Sequence, residues 1–318
     1  MSNIINKVKI GISACVMGQN VRFDGGHKRS VFCTEQLSQY VQFKPICPEV
    51  AVGLSTPRKT IRQIEKDGQI LLSRPDGSQN VTMAITQYGK DMANTCSDLA
   101  GFIFCAKSPT CGMERVKVYH HHGKGSSAVG IGLFARQIMD ANPALPVEEN
   151  GRLNDPLLRE NFITRIFTYQ KWLTLKASGL SKRKLIKFHS QVKYLVMSHH
   201  SESYRKLGQL IGTQSTLSID ALGDEYIHLL MDALRHLASK KSHTNTLQHL
   251  QGYFKKHLNK DKRAELTQVI ASYRKGLTPL LVPLTLIKHY LREFPNEYLS
   301  QQAYLNPHPE PLKLRYGY

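Results

Sequence analysis

Three cysteines occupy positions from which their thiols could bind a metal together. Cys15, Cys47 and Cys111 each lie in a loop after a probable strand, and each is flanked by glycine or proline. In an open parallel sheet, the loops at the carboxyl ends of the strands meet in one crevice, where ligands bind. The spacing therefore predicts that three thiols from distant parts of the chain converge on one site.

Three thiol ligands favour some cofactors over others. Structural zinc usually takes four ligands in short paired spacings, and these cysteines form no C-x-x-C pair. A catalytic cysteine needs no companion thiols. An iron–sulfur cluster suits thiolates from separate loops, although four cysteines are its usual complement. On spacing alone a cluster and three inert buried cysteines both stay open, because cysteine is often a small buried hydrophobe.

The other three cysteines are assigned to the hydrophobic core. Cys33 and Cys96 fall within predicted helices, and Cys105 falls inside the apolar run G-F-I-F-C-A. The chain has no signal-peptide pattern and no apolar segment long enough to span a bilayer. We therefore expect a cytoplasmic protein without membrane partners, in which structural disulfides are rare.

The elements that must position these residues alternate along the first half of the chain. Strand-like runs are followed by segments with helical spacing or by turn residues, which is typical of a doubly wound α/β domain. The predicted strands include 8–14, 43–46 and 101–106, and the predicted helices include 31–41, 59–66 and 81–99. We place this domain at residues 1–148.

The second half has a different pattern and a different charge. From residue 149 to 318 the apolar residues recur at i, i+3, i+4 and i+7, which predicts an all-α domain. Residues 151–318 contain 26 lysines and arginines against 12 acidic residues, whereas residues 1–150 contain 17 against 12. This basic surplus favours contact with phosphates of a nucleotide or RNA, and a solvated surface is the alternative.

Three motifs in the first half carry a resemblance to a known family. The segments S-A-C-V-M-G-Q-N-V-R-F-D-G-G (13–26), C-P-E-V-A-V-G-L-S-T-P-R (47–58) and K-S-P-T-C-G (107–112) together resemble the thiouracil desulfidase (TudS) family. The second half resembles the YbgA-type domain of unknown function. That likeness lies in K-F-H-S-Q-V-K-Y-L-V-M-S-H (187–199), Q-G-Y-F-K-K (251–256) and P-L-L-V-P-L-T-L (279–286).

The resemblance implies a cofactor and a reaction. It implies a [4Fe–4S] cluster held by three cysteines, with one iron open to the sulfur of a thiolated pyrimidine, and water replacing sulfur on the ring carbon. Matched by motif, the cluster ligands are Cys15, Cys47 and Cys111. The expected partner is a small thiolated base, with a nucleotide or RNA as a further partner through the basic C-terminal domain.

The same resemblance implies an acid–base pair, Glu49 and Ser108. From the residues alone, Glu49 also suits the first turn of a helix, and Ser108 also suits a turn before proline. Thr110 stands where we expect serine in related sequences, and the sequence assigns it no role.

Weaker candidates for substrate contacts flank the first two motifs. Arg22 and Asp24 lie at the turn D-G-G, and Arg58 follows Thr56-Pro57; a turn and a surface cation are the alternatives. The alternative function is a nucleic-acid-binding or redox-sensing module with a structural cluster. A fourth ligand from Cys33, Cys96 or Cys105 would favour that alternative.

Overall fold

The computed structural model describes residues 7–120, 125–213 and 216–315. The chain divides into two compact units, Met1–Asp155 and Pro156–Tyr318. The sequence predicts this division between residues 148 and 149. The division lies later because the strand Val147–Glu149 pairs within a sheet of the first unit.

The strands of the first unit form two sheets. In chain order they are β1 (Val8–Ser13), β2 (Val41–Ile46), β3 (Arg62–Lys66), β4 (Gln69–Ser73), β5 (Phe102–Phe104), β6 (Val116–His120), β7 (Ser126–Gly130) and β8 (Val147–Glu149). One sheet has the order β2-β1-β5-β8 and is parallel throughout. The other has the order β4-β3-β6-β7, with one parallel and two antiparallel pairings.

The two central strands of the parallel sheet, β1 and β5, are almost wholly buried, as expected of strands whose two faces are both covered. Phe102, Ile103 and Phe104 are fully buried in β5. Gly11 of β1 lies against the Phe102 ring, and any side chain at position 11 would collide with that ring. The predicted α/β class of this half is confirmed.

The predicted helix over 59–66 is wrong, because this segment forms β3 and the start of a hairpin. Ile61 and Ile64 are spaced as on a helix face, which produced the error. The next residues, Asp67 and Gly68, both have positive φ, 51° and 75°, and connect β3 to β4. Asp-Gly between two strands is the strongest short signal for such a turn, and it outweighs the helical spacing.

Three α-helices accompany the strands of the first unit: α1 (Pro48–Ala51), α2 (Thr82–Thr95) and α3 (Leu133–Ala141). The α2 helix confirms the helix predicted over 81–99, with a shorter span. The segment predicted as a helix over 31–41 is a π-helical turn, Phe32–Gln36, followed by a 3-10 turn, Leu37–Gln39.

The second unit is helical, as predicted. Its helices are α4 (Pro156–Ala177), α5 (Lys182–His199), α6 (Ser201–Gly212), α7 (Ile219–Arg235), α8 (Lys240–Gly252), α9 (Lys260–Arg274), α10 (Leu281–Glu293) and α11 (Glu297–Ser300). The core includes Trp172 of α4, which packs against Phe188 of α5 and Tyr226 of α7. Within the described residues, no helix is both long enough and apolar enough to cross a membrane.

Candidate active site

The three predicted thiols line one cavity of about 200 Å³ at the carboxyl edge of the parallel sheet. Cys15 follows β1, Cys47 follows β2, and Cys111 lies in the loop that follows β5. These strands run parallel, with Ser13 opposite Ile46, so their following loops share one edge. Cys15 is 9% exposed and Cys111 is 5% exposed, so both thiols are largely removed from water.

Backbone amides approach the sulfur of Cys47. Cys47 precedes α1, and burial raises the pKa of its thiol above the usual range. Hydrogen bonds from the amides of Val50 and Glu49 oppose this effect because they stabilise the thiolate. The local fold thus offers hydrogen bonds to a negatively charged sulfur at this position.

A fourth thiol lies in the same cavity. Cys105 follows directly after β5, is 4% exposed and lines the cavity with the three predicted cysteines. A hydrogen bond between the Cys15 and Cys105 thiols raises the pKa of Cys15 and lowers that of Cys105. The sequence predicts Cys105 only as a core residue. Because its neighbours are apolar, the sequence does not show that the strand ends one residue before it.

Ser13 connects two of these cysteines. Its hydroxyl oxygen accepts a hydrogen bond from the Cys105 amide at 3.0 Å, and its hydroxyl opposes the rise in the pKa of Cys111. Burial raises the pKa of the Cys111 thiol, and the nearby Cys105 adds to this shift. In contrast, Cys33 and Cys96 are buried as predicted, and Cys96 lies beside Lys44 rather than at the cavity.

The chemistry of the thiols limits which group they could hold. Among the described residues, no group of three or more His, Cys, Asp or Glu side chains is arranged to hold a metal ion. Soft sulfur donors in a cavity shielded from water fit iron–sulfur chemistry. The pKa values of the Cys15 and Cys111 thiols are raised, so these thiols hold their protons, and binding of a cluster would displace them.

Glu49 lies in the cavity wall and is held by Arg58. The Arg58 guanidinium donates to Oε2 of Glu49 through Nε, at 3.0 Å, and through Nη2. Its remaining nitrogen contacts are backbone carbonyls of Val21 and Ser55 and the hydroxyl of Thr56. The hydrogen-bond donors of Arg58 are therefore occupied by protein groups. A contact between Arg58 and substrate stays a prediction.

Ser108 and Thr110 complete the polar part of the wall. Their hydroxyl oxygens are 2.9 Å apart, and the Thr110 hydroxyl lies 2.7 Å from Oε1 of Glu49. The structure thus links Glu49 and Ser108, which the sequence could associate only through the resemblance. Thr110, to which the sequence assigned no role, is the connecting residue.

The loop that carries Ser108 and Thr110 is fixed from two sides. The Thr110 carbonyl accepts hydrogen bonds from the amides of Phe134 and Ala135 at the start of α3. Gln63 of β3, which is 1% exposed, donates to the carbonyls of Pro109 and Ile131. The second sheet therefore positions the loop that carries Ser108 and Thr110.

The mouth of the cavity contains Arg22 and Phe23. Arg22 lines the cavity, whereas Asp24 stands in the turn beside it, with 3.4 Å between the guanidinium and the carboxylate. The Gly26 amide and then Arg22 hold the pKa of Asp24 below its usual range. Phe23 is 40% exposed and lines the cavity, a placement that suits stacking on a flat ring. The aromatic residue inside the first motif is the sequence feature from which this contact could have been predicted.

A basic groove shares part of its wall with the cavity. Lys107 and Pro109 line both, and the groove measures about 690 Å³. Lys107 has a left-handed backbone, with φ of 61°, which is uncommon for residues other than glycine. The cations that line the groove are Arg62, Lys107, Arg115, Lys117 and Arg152.

Two family models match the chain. Residues 10–150 match the family described as 2-thiouracil desulfurase, and residues 193–309 match the family described as protein of unknown function DUF1722. The uncharacterized protein YbgA of Escherichia coli (strain K12) is 35% identical over 159 residues, which cover 50% of this chain and 94% of YbgA.

A solved structure of the [4Fe–4S]-dependent thiouracil desulfidase TudS is also similar. It is 25% identical, with a TM-score of 0.38, and the match covers 46% of this chain and 94% of TudS. The predicted resemblance of both halves is confirmed by the family matches. The chain belongs to the YbgA family, and its residues 10–150 match the family described as 2-thiouracil desulfurase.

Proposed function

We propose that the first unit removes sulfur from a thiolated pyrimidine, with water replacing sulfur on the ring carbon. The observation that carries this proposal is the convergence of Cys15, Cys47 and Cys111 on one cavity whose wall also contains Glu49 and Ser108. The match of residues 10–150 to the 2-thiouracil desulfurase family supports the same reaction.

Cys15, Cys47 and Cys111 would hold a [4Fe–4S] cluster in this cavity. When bound, the cluster supplies an open iron, a soft Lewis acid that draws electron density from a thione sulfur. The ring carbon attached to that sulfur becomes more electrophilic. The protein must then supply a base for water and a proton for the departing sulfur.

Glu49 is placed to act as the base. Its carboxylate lines the cavity and is only 13% exposed, so few competing waters surround it. Arg58 binds one carboxylate oxygen and Thr110 the other, which fixes the group in one orientation. Ser108 lines the same cavity and is placed to give a proton to the sulfur.

The substrate is proposed to be a thiolated base, alone or within a nucleotide or RNA. Phe23 offers a ring for stacking at the cavity mouth, and Lys107 faces both cavity and groove. A phosphate attached to the base would find cations in the groove beside the cavity. Binding of such a substrate should weaken steeply with added salt, because neutralised phosphates release counterions.

The proposal is tested with anaerobically reconstituted protein. We expect about four irons and four sulfides per chain and conversion of 2-thiouracil or 4-thiouracil to uracil with release of sulfide. Glu49→Gln should keep the cluster and lose about 10²–10⁴-fold in rate. A protein that binds one zinc and no iron, or a cluster-loaded protein that converts no thiolated base, nucleoside or RNA, would overturn the proposal.

Cys105 gives a specific reason to keep a second candidate, a nucleic-acid-binding or redox-sensing module whose cluster has four protein ligands. The reason is the position of this fourth thiol in the cavity. Against it, the motifs of the first half assign only Cys15, Cys47 and Cys111 as ligands, which leaves one iron open for a substrate sulfur. Loss of the cluster in Cys105→Ala would favour the second candidate.

A further inference from the structure

Thr110 lies between the proposed base and the proposed acid. Its hydroxyl oxygen is 2.7 Å from Oε1 of Glu49 and 2.9 Å from the hydroxyl oxygen of Ser108. Thr110 is 0% exposed, so water does not replace it in this position. The three side chains form one continuous hydrogen-bonded chain.

The donors and acceptors at Ser108, Thr110 and Glu49 set the direction of these hydrogen bonds. The Ser108 oxygen accepts hydrogen bonds from the amides of Thr110, at 3.3 Å, and Cys111, at 3.1 Å. Either hydroxyl can be the donor in the bond between Ser108 and Thr110, so this bond can run in both directions. An ionised carboxylate can only accept, so the Thr110 proton is directed to Glu49.

We propose that Thr110 relays the proton that Glu49 takes from water to Ser108, and so couples base to acid in one turnover. This inference rests on the proposed desulfuration. Once Glu49 carries a proton, the chain can reverse. Glu49 donates to Thr110, Thr110 gives its own proton to Ser108, and Ser108 gives its own proton to the departing sulfur.

The step balances without any further reactant. Water supplies the oxygen that bonds to the ring carbon, and the carbon–sulfur bond breaks with its electron pair on sulfur. One water proton reaches sulfur through the relay. The other leaves as the ring hydroxyl becomes a carbonyl, so the products are the carbonyl base, hydrosulfide and a proton. Glu49, Thr110 and Ser108 end in their starting protonation states.

Arg58 fixes which oxygen of Glu49 faces Thr110. It holds Oε2 of Glu49, which leaves Oε1 for the Thr110 hydroxyl. The sulfur of Cys111 lies 3.6 Å from the Thr110 hydroxyl oxygen, a longer and weaker alternative for the same proton. Thr110 therefore acts as a positioning and relay residue between Glu49 and Ser108.

The test compares Thr110→Val, which keeps the shape and removes the hydroxyl, with Thr110→Ser, which keeps the hydroxyl. Thr86→Val is the matched control, because the Thr86 hydroxyl only donates to the Thr82 carbonyl within α2. Iron and sulfide content and the visible spectrum are measured first, and then single-turnover rates and KM with a thiolated base. Rates in mixtures of H2O and D2O count the protons that move together.

We expect Thr110→Val to keep the cluster and KM and to lose about 10²-fold in rate, whereas Thr110→Ser and Thr86→Val retain most of it. The curved dependence on D2O fraction expected of the wild type should become linear in Thr110→Val. A full rate in cluster-loaded Thr110→Val would overturn the relay alone. Loss of iron in Thr110→Val, but not in Thr110→Ser, would also overturn it and assign the hydroxyl to Cys111. No turnover by the wild type would overturn the desulfuration and the relay together.

Discussion

Arg58 and Glu49 form an ion pair that is almost removed from solvent, with side-chain exposures of 5% and 13%. The pair ties the loop after α1 to Glu49 in the cavity wall. The Arg58 amide also donates to the Phe23 carbonyl, which ties the same loop to the first motif. Placing the carboxylate thus depends on a cation nine residues further along the chain.

Removing that cation should impair both stability and rate. Arg58→Gln leaves the Glu49 carboxylate buried without its partner, which typically costs about 3 kcal/mol of unfolding free energy. We expect kcat to fall about 10²-fold because the base loses its fixed orientation. Calorimetric unfolding and steady-state kinetics measure the two effects. Arg58→Lys keeps the charge without the planar guanidinium, so its kcat should lie between those of the wild type and Arg58→Gln. An unchanged kcat in Arg58→Gln would contradict this assignment.

The cysteines should separate into two groups when each is changed to alanine. Variants at Cys15, Cys47 and Cys111 should lose most of their iron, because each removes a proposed cluster ligand. Cys105→Ala should retain iron but show a changed reduction potential, since hydrogen bonds to ligand sulfurs tune a cluster. Iron and sulfide analysis with redox titration tests this, with Cys33→Ala as the buried control. If Cys15→Ala retained iron and Cys105→Ala lost it, Cys105 would be the cluster ligand and Cys15 would not.

Lys107 should distinguish a phosphorylated substrate from a free base. It lines both the cavity and the basic groove, and it has no ion-pair partner in the described part of the chain. Lys107→Gln should raise KM for a thiolated nucleotide several-fold and leave KM for the free base within about two-fold, because only the nucleotide offers a phosphate. Lys90→Gln, at an exposed position of α2, is the control. Equal effects on both substrates would remove Lys107 from phosphate recognition.

The second unit should lose stability as the pH falls from 7 to 5. His243 lies 3.0 Å from the Tyr304 hydroxyl, and burial lowers the pKa of its ring to about 3. The unfolded chain takes up this proton near pH 6.5, so below that pH the unfolded state binds more protons and is favoured. His243 alone should lower the unfolding free energy by about 1–2 kcal/mol between pH 7 and pH 5.

The single tryptophan allows this effect to be measured in the second unit alone. Trp172 is 2% exposed in α4, so its fluorescence in urea reports the unfolding of the helices around it. The variant His243→Gln, which can still hydrogen-bond Tyr304 but does not titrate, should show a shallower dependence on pH. An identical dependence in the two proteins would remove His243 as its origin.

The fold class could be predicted from the sequence, because apolar runs and helical spacing show which faces must be buried. The convergence of Cys15, Cys47 and Cys111 could also be predicted, since each follows a strand and parallel strands end at one edge. The prediction failed for β3, where Ile61 and Ile64 match a helix but the Asp67-Gly68 turn requires a hairpin.

The contacts of Cys105 and Thr110 follow only from the three-dimensional arrangement of the domain. Cys105 lies in an apolar run and Thr110 in a loop, and neither local pattern says what the side chain contacts. Thr110 reaches Glu49 from 61 positions away, and Cys105 meets Cys15 across the β1–β5 pairing. Such contacts depend on strand order and register, which arise from packing the whole domain rather than from any short stretch of residues.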